Sequence, residues 1–262
     1  MKVSPEGDPK CIKEPEEALI RDVLAQRRSL RFSALLPFLP TGPRLPVVTT
    51  NYDRLVELAA EIAGFRVDIK AQGAYHAPFS VTDGAYAFCS QVDIGRGRRS
   101  LRKVEHKTIS LYKPHGSLDW ITYAGAPVRS AFTVDPKDAM IITPGQQKYR
   151  AGYDKPFDMQ RTLANDAINK ASKLLIIGYG FNDSHLEVHL DAKIKSGTPT
   201  PILTRSLTPG ARVQLSYNSV WALEKDLNVA NGTIAHIGQE TISLPGEDIW
   251  DINGFVTGVL GK

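Results

Sequence analysis

Three short stretches of this 262-residue chain carry side chains fit for chemistry, each at the end of an apolar run. The first, LPVVTTNYDRLVEL at Leu45–Leu58, sets Asn51 and Asp53 after two threonines, Thr49 and Thr50. Leu55, Leu58, Ala59 and Ile62 then recur at helical spacing, giving strand, polar turn and helix. In an open α/β sheet, ligands bind beyond the carboxyl ends of strands, where Thr49–Asp53 would sit. The same residues suit a helix cap equally well. The second stretch, KPHGSLDW at Lys113–Trp120, follows an alternating run, Lys107–Tyr112, that reads as a strand. Pro114 and Gly116 hold His115 on a constrained turn, either facing a cleft or without a chemical role. The third follows Leu174–Ile177, a continuous apolar run of the kind buried on both faces of a sheet. Here Gly178, Tyr179, Gly180, Phe181, Asn182 and Asp183 lead into a helical pattern through Leu186, Leu190 and Ile194. Glycines let a ligand approach the backbone, and a helix N-terminus offers N–H groups and a positive dipole end. These are the parts of a phosphate-binding crossover, although a tight structural turn has the same pattern.

The rest of the chain must position these groups. Hydrophobic residues make up 42% and charged residues 23%, values of an ordinary globular protein large enough for a sizeable core. No apolar run reaches the roughly 20 residues of a membrane span. The N-terminal MKVSPEGDPKCIKEPEE lacks the apolar segment of a secretory signal, so the expected location is cytoplasmic. Two cysteines, Cys11 and Cys89, cannot build a disulfide framework or a four-cysteine zinc module. The net charge of +4 permits an anionic ligand without requiring one. Arg96, Arg98, Arg99, Arg102 and Lys103 form the clearest basic cluster. It has no interleaved aromatics, so it reads as a solvated loop rather than a nucleic-acid surface.

In chain order, residues 1–14 read as disordered and a helix is expected from Pro15, with Ala18, Leu19, Val23 and Leu24 on one face. Phe32–Leu39 packs as helix or turn, and Thr41-Gly42-Pro43 turns the chain into the Leu45 strand. Phe65–Leu111 reads as an irregular insert. A short strand is expected at Met140–Thr143, and a helix at Phe157–Ala171 with Leu163, Ala164, Ala167, Ile168 and Ala171 on one face. Further strands are expected at Pro201–Thr204 and Thr233–Ile237, with helices at Ser219–Asn228 and Ile249–Leu260. Alternating strands and helices imply an α/β fold with a mainly parallel sheet flanked by helices. Residues 15–262 then form one domain with an insert at about 65–111.

Taken together and in this order, TTNYD (Thr49–Asp53), PHGS (Pro114–Ser117) and IIGYGFND (Ile176–Asp183) resemble the sirtuin-like NAD-consuming family, and most of all its bacterial phage-defence branch. The resemblance implies a Rossmann-like domain with a small inserted module. Asn51 matches an asparagine that positions a water near the anomeric carbon, Asp53 an aspartate shaping the nicotinamide end, and His115 a catalytic histidine at the ribose hydroxyls. Thr49 and Thr50 line the same pocket, while Gly178, Tyr179, Gly180, Phe181 and Asn182 match the dinucleotide-contacting turn. NAD is then a substrate and no metal is required. Protein-deacylating relatives carry two cysteine pairs for zinc, which this sequence does not supply, so NAD hydrolysis is expected over peptide deacylation. Upstream of Thr49 the only glycines are Gly7 and Gly42, neither in the Gly-Ala-Gly loop usual for the family. That leaves open a chain missing its first βα unit, a diverged pocket, or a module that senses NAD or ADP-ribose without turnover. The family also implies an oligomer or a defence partner such as an ATPase or Argonaute-like chain, with no direct nucleic-acid or membrane binding.

Overall fold

The computed structural model describes residues 10–40, 42, 44–81, 88–93, 101–132, 135–142 and 155–261. Arg96, Arg98 and Arg99 of the basic cluster lie outside them, as does Thr143 of the strand expected at Met140–Thr143. The chain divides into two compact units, residues 1–163 and 164–262.

The first unit begins with helix α1 (Lys10–Leu24), which starts five residues before the proline expected to open it. Helix α2 (Arg31–Leu35) and a short 3-10 turn follow. Strand β1 (Arg44–Val48) leads to α3 (Leu55–Ile62) and β2 (Arg66–Asp68). β3 (His76–Pro78), β4 (Cys89–Asp93), β5 (Leu101–Glu105) and β6 (Thr108–Tyr112) come next. β1, β6 and β2 form a parallel three-stranded sheet in that order, with Arg44 beside Thr108 and Val48 beside Tyr112. β6 is the central strand, and Thr108 to Leu111 are all buried, which fits an uninterrupted run covered on both faces. Its Ile109 and Leu111 share a core with Leu36, Ala60, Phe65 and Ile69. The outer side of α3 is covered in turn by Val23 and Leu19 of α1.

β7 (Trp120–Tyr123) and β8 (Ala126–Ser130) pair as a hairpin, and β3 joins the β8 edge. β4 and β5 form a separate hairpin. The stretch read as irregular therefore contains β2, a member of the parallel sheet, together with hairpin strands. At Met140–Thr143 no strand forms among the described residues; Ile141 makes an isolated bridge to Gly116 instead.

Helix α4 (Phe157–Lys170) carries the boundary between the units. The second unit holds β9 (Ile176–Ile177), α5 (Ser184–Lys195), β10 (Thr200–Thr204), α6 (Pro209–Gln214), β11 (Val220–Lys225), β12 (Gly232–Ile237), β13 (Glu240–Pro245) and α7 (Ile252–Gly258). Its sheet runs β13-β12-β11-β10-β9, parallel among β9, β10 and β11 and antiparallel beyond. Ser219–Asn228, expected as a helix, is strand β11. VWALEK contains good helix formers, but flanking strands on both sides bury Val220, Ala222, Leu223 and Glu224, and pairing overrides local propensity.

Candidate functional site

The two loops carrying Asn51 and His115 leave the same end of adjacent parallel strands. Ladder pairing continues one step past β1, where the Thr49 amide donates to the Tyr112 carbonyl at 3.0 Å. Thr49 Oγ1 then accepts the Asn51 amide at 3.2 Å. Asn51 is exposed, Thr49, Thr50 and Asp53 are half-buried, and His115 is half-buried on the neighbouring loop. Asp53 Oδ1 accepts the Leu55 amide at 3.1 Å in the turn leading into α3, although the N-cap residue of that helix is Arg54, which makes no side-chain cap bond. The amide of Arg54 itself goes to the buried carboxylate of Glu16 from α1. Among the described residues the Asn51 carboxamide makes no cap bond to α3.

His115 sits on a turn closed by the Gly116 amide donating to the Lys113 carbonyl at 3.0 Å. Gly116 has φ +88°, and a Cβ there would lie 2.0 Å from the Met140 carbonyl oxygen and 2.8 Å from the Phe157 ring. Only glycine fits this crossing. The His115 carbonyl accepts the Ile142 amide at 2.9 Å, and the Tyr52 hydroxyl donates to the Ile142 carbonyl at 2.6 Å.

Underneath, Lys113 is wholly buried, with 0% exposure. Its ammonium donates to the Asp53 carbonyl, to Glu57 Oε1 at 3.0 Å and to Ser117 Oγ at 2.9 Å. Ser117 Oγ passes its own hydrogen to the Tyr52 carbonyl at 3.2 Å, which also accepts the Leu118 amide at 3.0 Å. On the other side Gln160 of α4 accepts the Lys113 amide at 3.1 Å and donates to the Ile69 carbonyl at 3.0 Å. Burial pushes the Glu57 carboxyl above its usual range and Asp119 adds to this, while the Lys113 ammonium pulls the other way. Glu57 Oε2 and Asp119 Oδ1 are buried without a hydrogen-bond partner among the described residues. Burial disfavours the Arg54 cation, but Glu16, with Asp119 and Glu17, outweighs it and keeps the guanidinium charged.

The third group lies in the second unit. Gly178 follows β9 at φ +62°, and its amide donates to the Leu203 carbonyl at 2.8 Å. The Gly180 carbonyl accepts the Thr208 hydroxyl at 2.6 Å. Phe181 adopts φ +52° with its ring buried, 5.1 Å from the Tyr179 ring. Asn182 is exposed, and a Cβ on Gly180 would meet its Nδ2 at 2.8 Å. The turn is thus tight and structurally specified. The helix end beyond it differs from the expectation of open N–H groups. Asp183 Oδ1 takes the His185 amide at 3.0 Å, and its carbonyl takes those of Leu186 and Glu187. A carboxylate already complements the α5 dipole. Burial raises the Tyr179 phenol well above its ordinary range, helped by Asp183 and Glu187, and its hydroxyl has no hydrogen-bond partner among the described residues.

Thr49, Thr50, Asn51, Asp53 and His115 are brought together on one end of the parallel sheet, whereas Gly178–Asn182 form a turn of the other unit. Sequence reasoning missed Lys113, Glu57, Ser117, Glu16 and Gln160. A signal existed for two of them: Glu57 interrupts the apolar run of α3, and Gln160 falls three residues after buried Phe157 and four before buried Ala164. The sequence matches the SIR2-like domain over residues 46–217, well over half of the chain and spanning all three motifs. The chain belongs to the SIR2-like family. Membership of the SIR2-like family carries NAD binding and an NAD-related function. Comparison with curated proteins gives no significant match. Among the described residues of this SIR2-like chain, no helix is long and apolar enough to cross a membrane.

Proposed function

We propose that this SIR2-like chain hydrolyses the nicotinamide–ribose bond of NAD, giving nicotinamide and ADP-ribose, and that its role is NAD depletion in anti-phage defence. The observation that carries the reading is the arrangement of Asn51 and His115 on neighbouring loops at the carboxyl end of β1 and β6. An exposed asparagine and a half-buried histidine on neighbouring loops suit a reaction that needs a held water and a proton acceptor.

In this reading Asn51 orients the attacking water through its carboxamide. His115 meets the ribose hydroxyls and takes a proton as the water oxygen bonds to the anomeric carbon. The carbon–nitrogen bond breaks with its electron pair passing to the pyridinium nitrogen, so nicotinamide leaves neutral without needing a proton. Asp53 shapes the nicotinamide end through its backbone, since its carboxylate is engaged in the turn leading into α3. The Gly178–Asn182 turn is assigned to the dinucleotide, with contact to backbone and Asn182 rather than to the α5 N–H groups that Asp183 has taken.

Incubation of the purified chain with NAD should release nicotinamide and ADP-ribose, separable by chromatography. Asn51→Ala and His115→Ala should each lower turnover by at least about 10²-fold, the scale of a lost positioned acid–base or orienting group. Full activity in both variants would remove this assignment. A second reading, a module that binds NAD or ADP-ribose and acts through a partner, is favoured by the start of α5, where Asp183 already takes the N–H groups that would otherwise meet a phosphate. Calorimetric binding of either nucleotide without nicotinamide release would select it.

A further inference from the structure

The buried Lys113 ammonium joins the two loops that the reaction needs held together. A lysine offers three donors and no acceptor. Here all three are used, on the Asp53 carbonyl, Glu57 and Ser117, and each acceptor belongs to a different segment. The Asp53 carbonyl lies two residues from Asn51, and Ser117 two residues from His115. Because Ser117 Oγ accepts from Lys113, its own hydrogen is directed to the Tyr52 carbonyl, next to Asn51. Glu57 supplies the countercharge from α3. A buried ion pair adds little net stability over a well-packed apolar pair of similar volume, so its presence here calls for a geometric reason.

We propose that Lys113 is a positioning residue, with Ser117 as its relay: it fixes the separation and orientation of Asn51 and His115 and so sets the rate of nicotinamide release. This rests on the NAD-hydrolase reading of the site. It predicts an effect on the chemical step rather than on dinucleotide affinity, because Lys113 is fully buried and its three donors are taken by Asp53, Glu57 and Ser117.

The test uses the full chain with Glu57→Leu and Lys113→Met together, which removes both charges and leaves no uncompensated ion. The double variant should melt near the wild-type temperature, its kcat should fall by about 10²-fold and KM should change little. The Leu118 amide, which donates to the Tyr52 carbonyl across the two loops, should exchange its hydrogen faster by roughly tenfold or more. A folded double variant with wild-type kcat overturns the proposal, since charge neutralisation would then be the whole role of Lys113. If the wild-type chain releases no nicotinamide, the hydrolase reading falls and the Leu118 exchange decides alone: acceleration upholds the pin, and an unchanged rate overturns it. Should the double variant not fold, Ser117→Ala takes its place, because it keeps the ion pair and removes only the relay. It must then show both changes to a smaller degree, and wild-type values for both overturn the proposal.

Discussion

Two glycines at positive φ behave differently at the residue scale. Gly116→Ala would drive a methyl to 2.0 Å from a backbone oxygen, and no side-chain motion relieves that. A loss on the order of 3 kcal/mol or more is expected, read from the denaturation midpoint, with the His115 loop displaced. Gly178→Ala meets nothing within 4 Å and carries only the left-handed backbone cost of about 1–2 kcal/mol. If a dinucleotide lies against that turn, this variant loses NAD affinity out of proportion to its stability; unchanged affinity by calorimetry would move the ligand elsewhere. The placement of Asn51 and His115 on loops after β1 and β6 was legible in the sequence because its cues are local: an apolar run followed by polar turn residues. Lys113 and Glu57 stand 56 positions apart, and no local pattern says that one neutralises the other.

At the scale of elements, caps and strand pairing decide what the sequence left open. Asp183→Ala removes the side-chain acceptor of the His185 amide, so α5 should lose about 1 kcal/mol, measurable by thermal melting. It should also bring the Tyr179 phenol back toward its ordinary value, since Asp183 is among the groups that raise it. β11 was hidden because Ala222, Leu223, Glu224 and Lys225 are good helix formers, and only its neighbours β10 and β12 make it a strand. Its Glu224 ties the sheet to the loop before α6. Burial would raise this carboxyl, but the Leu207 amide, His236 and Arg212 together hold it below the usual range. A lowered folded value means stability that is present above the ordinary value and lost as pH falls through the folded one. The melting-temperature gap between wild type and Glu224→Gln should therefore be wide at neutral pH and close as pH drops below about 4.5.

At the scale of the whole molecule, the SIR2-like match begins at residue 46, yet α1 lies before it and completes the first loop. Glu16, whose side chain is 1% exposed, takes the Arg54 amide and pairs with the Arg54 guanidinium at 2.8 Å. Glu16→Ala should cost roughly 1–3 kcal/mol in chemical denaturation, toward the lower end because Arg54 is partly exposed. No reading of the motif region alone would assign a role to this helix, since the contact spans 38 residues. The alternation of strands and helices did announce parallel pairing, and β1, β6 and β2 realise it. The sealed position of Lys113 also makes it a clock. Amine-acylating reagents added to the folded protein will mark solvent-exposed lysines at once, whereas Lys113 can react only when the two loops part. The lag before its modification, followed peptide by peptide in a mass spectrometer, times how often the carboxyl end of the sheet comes open.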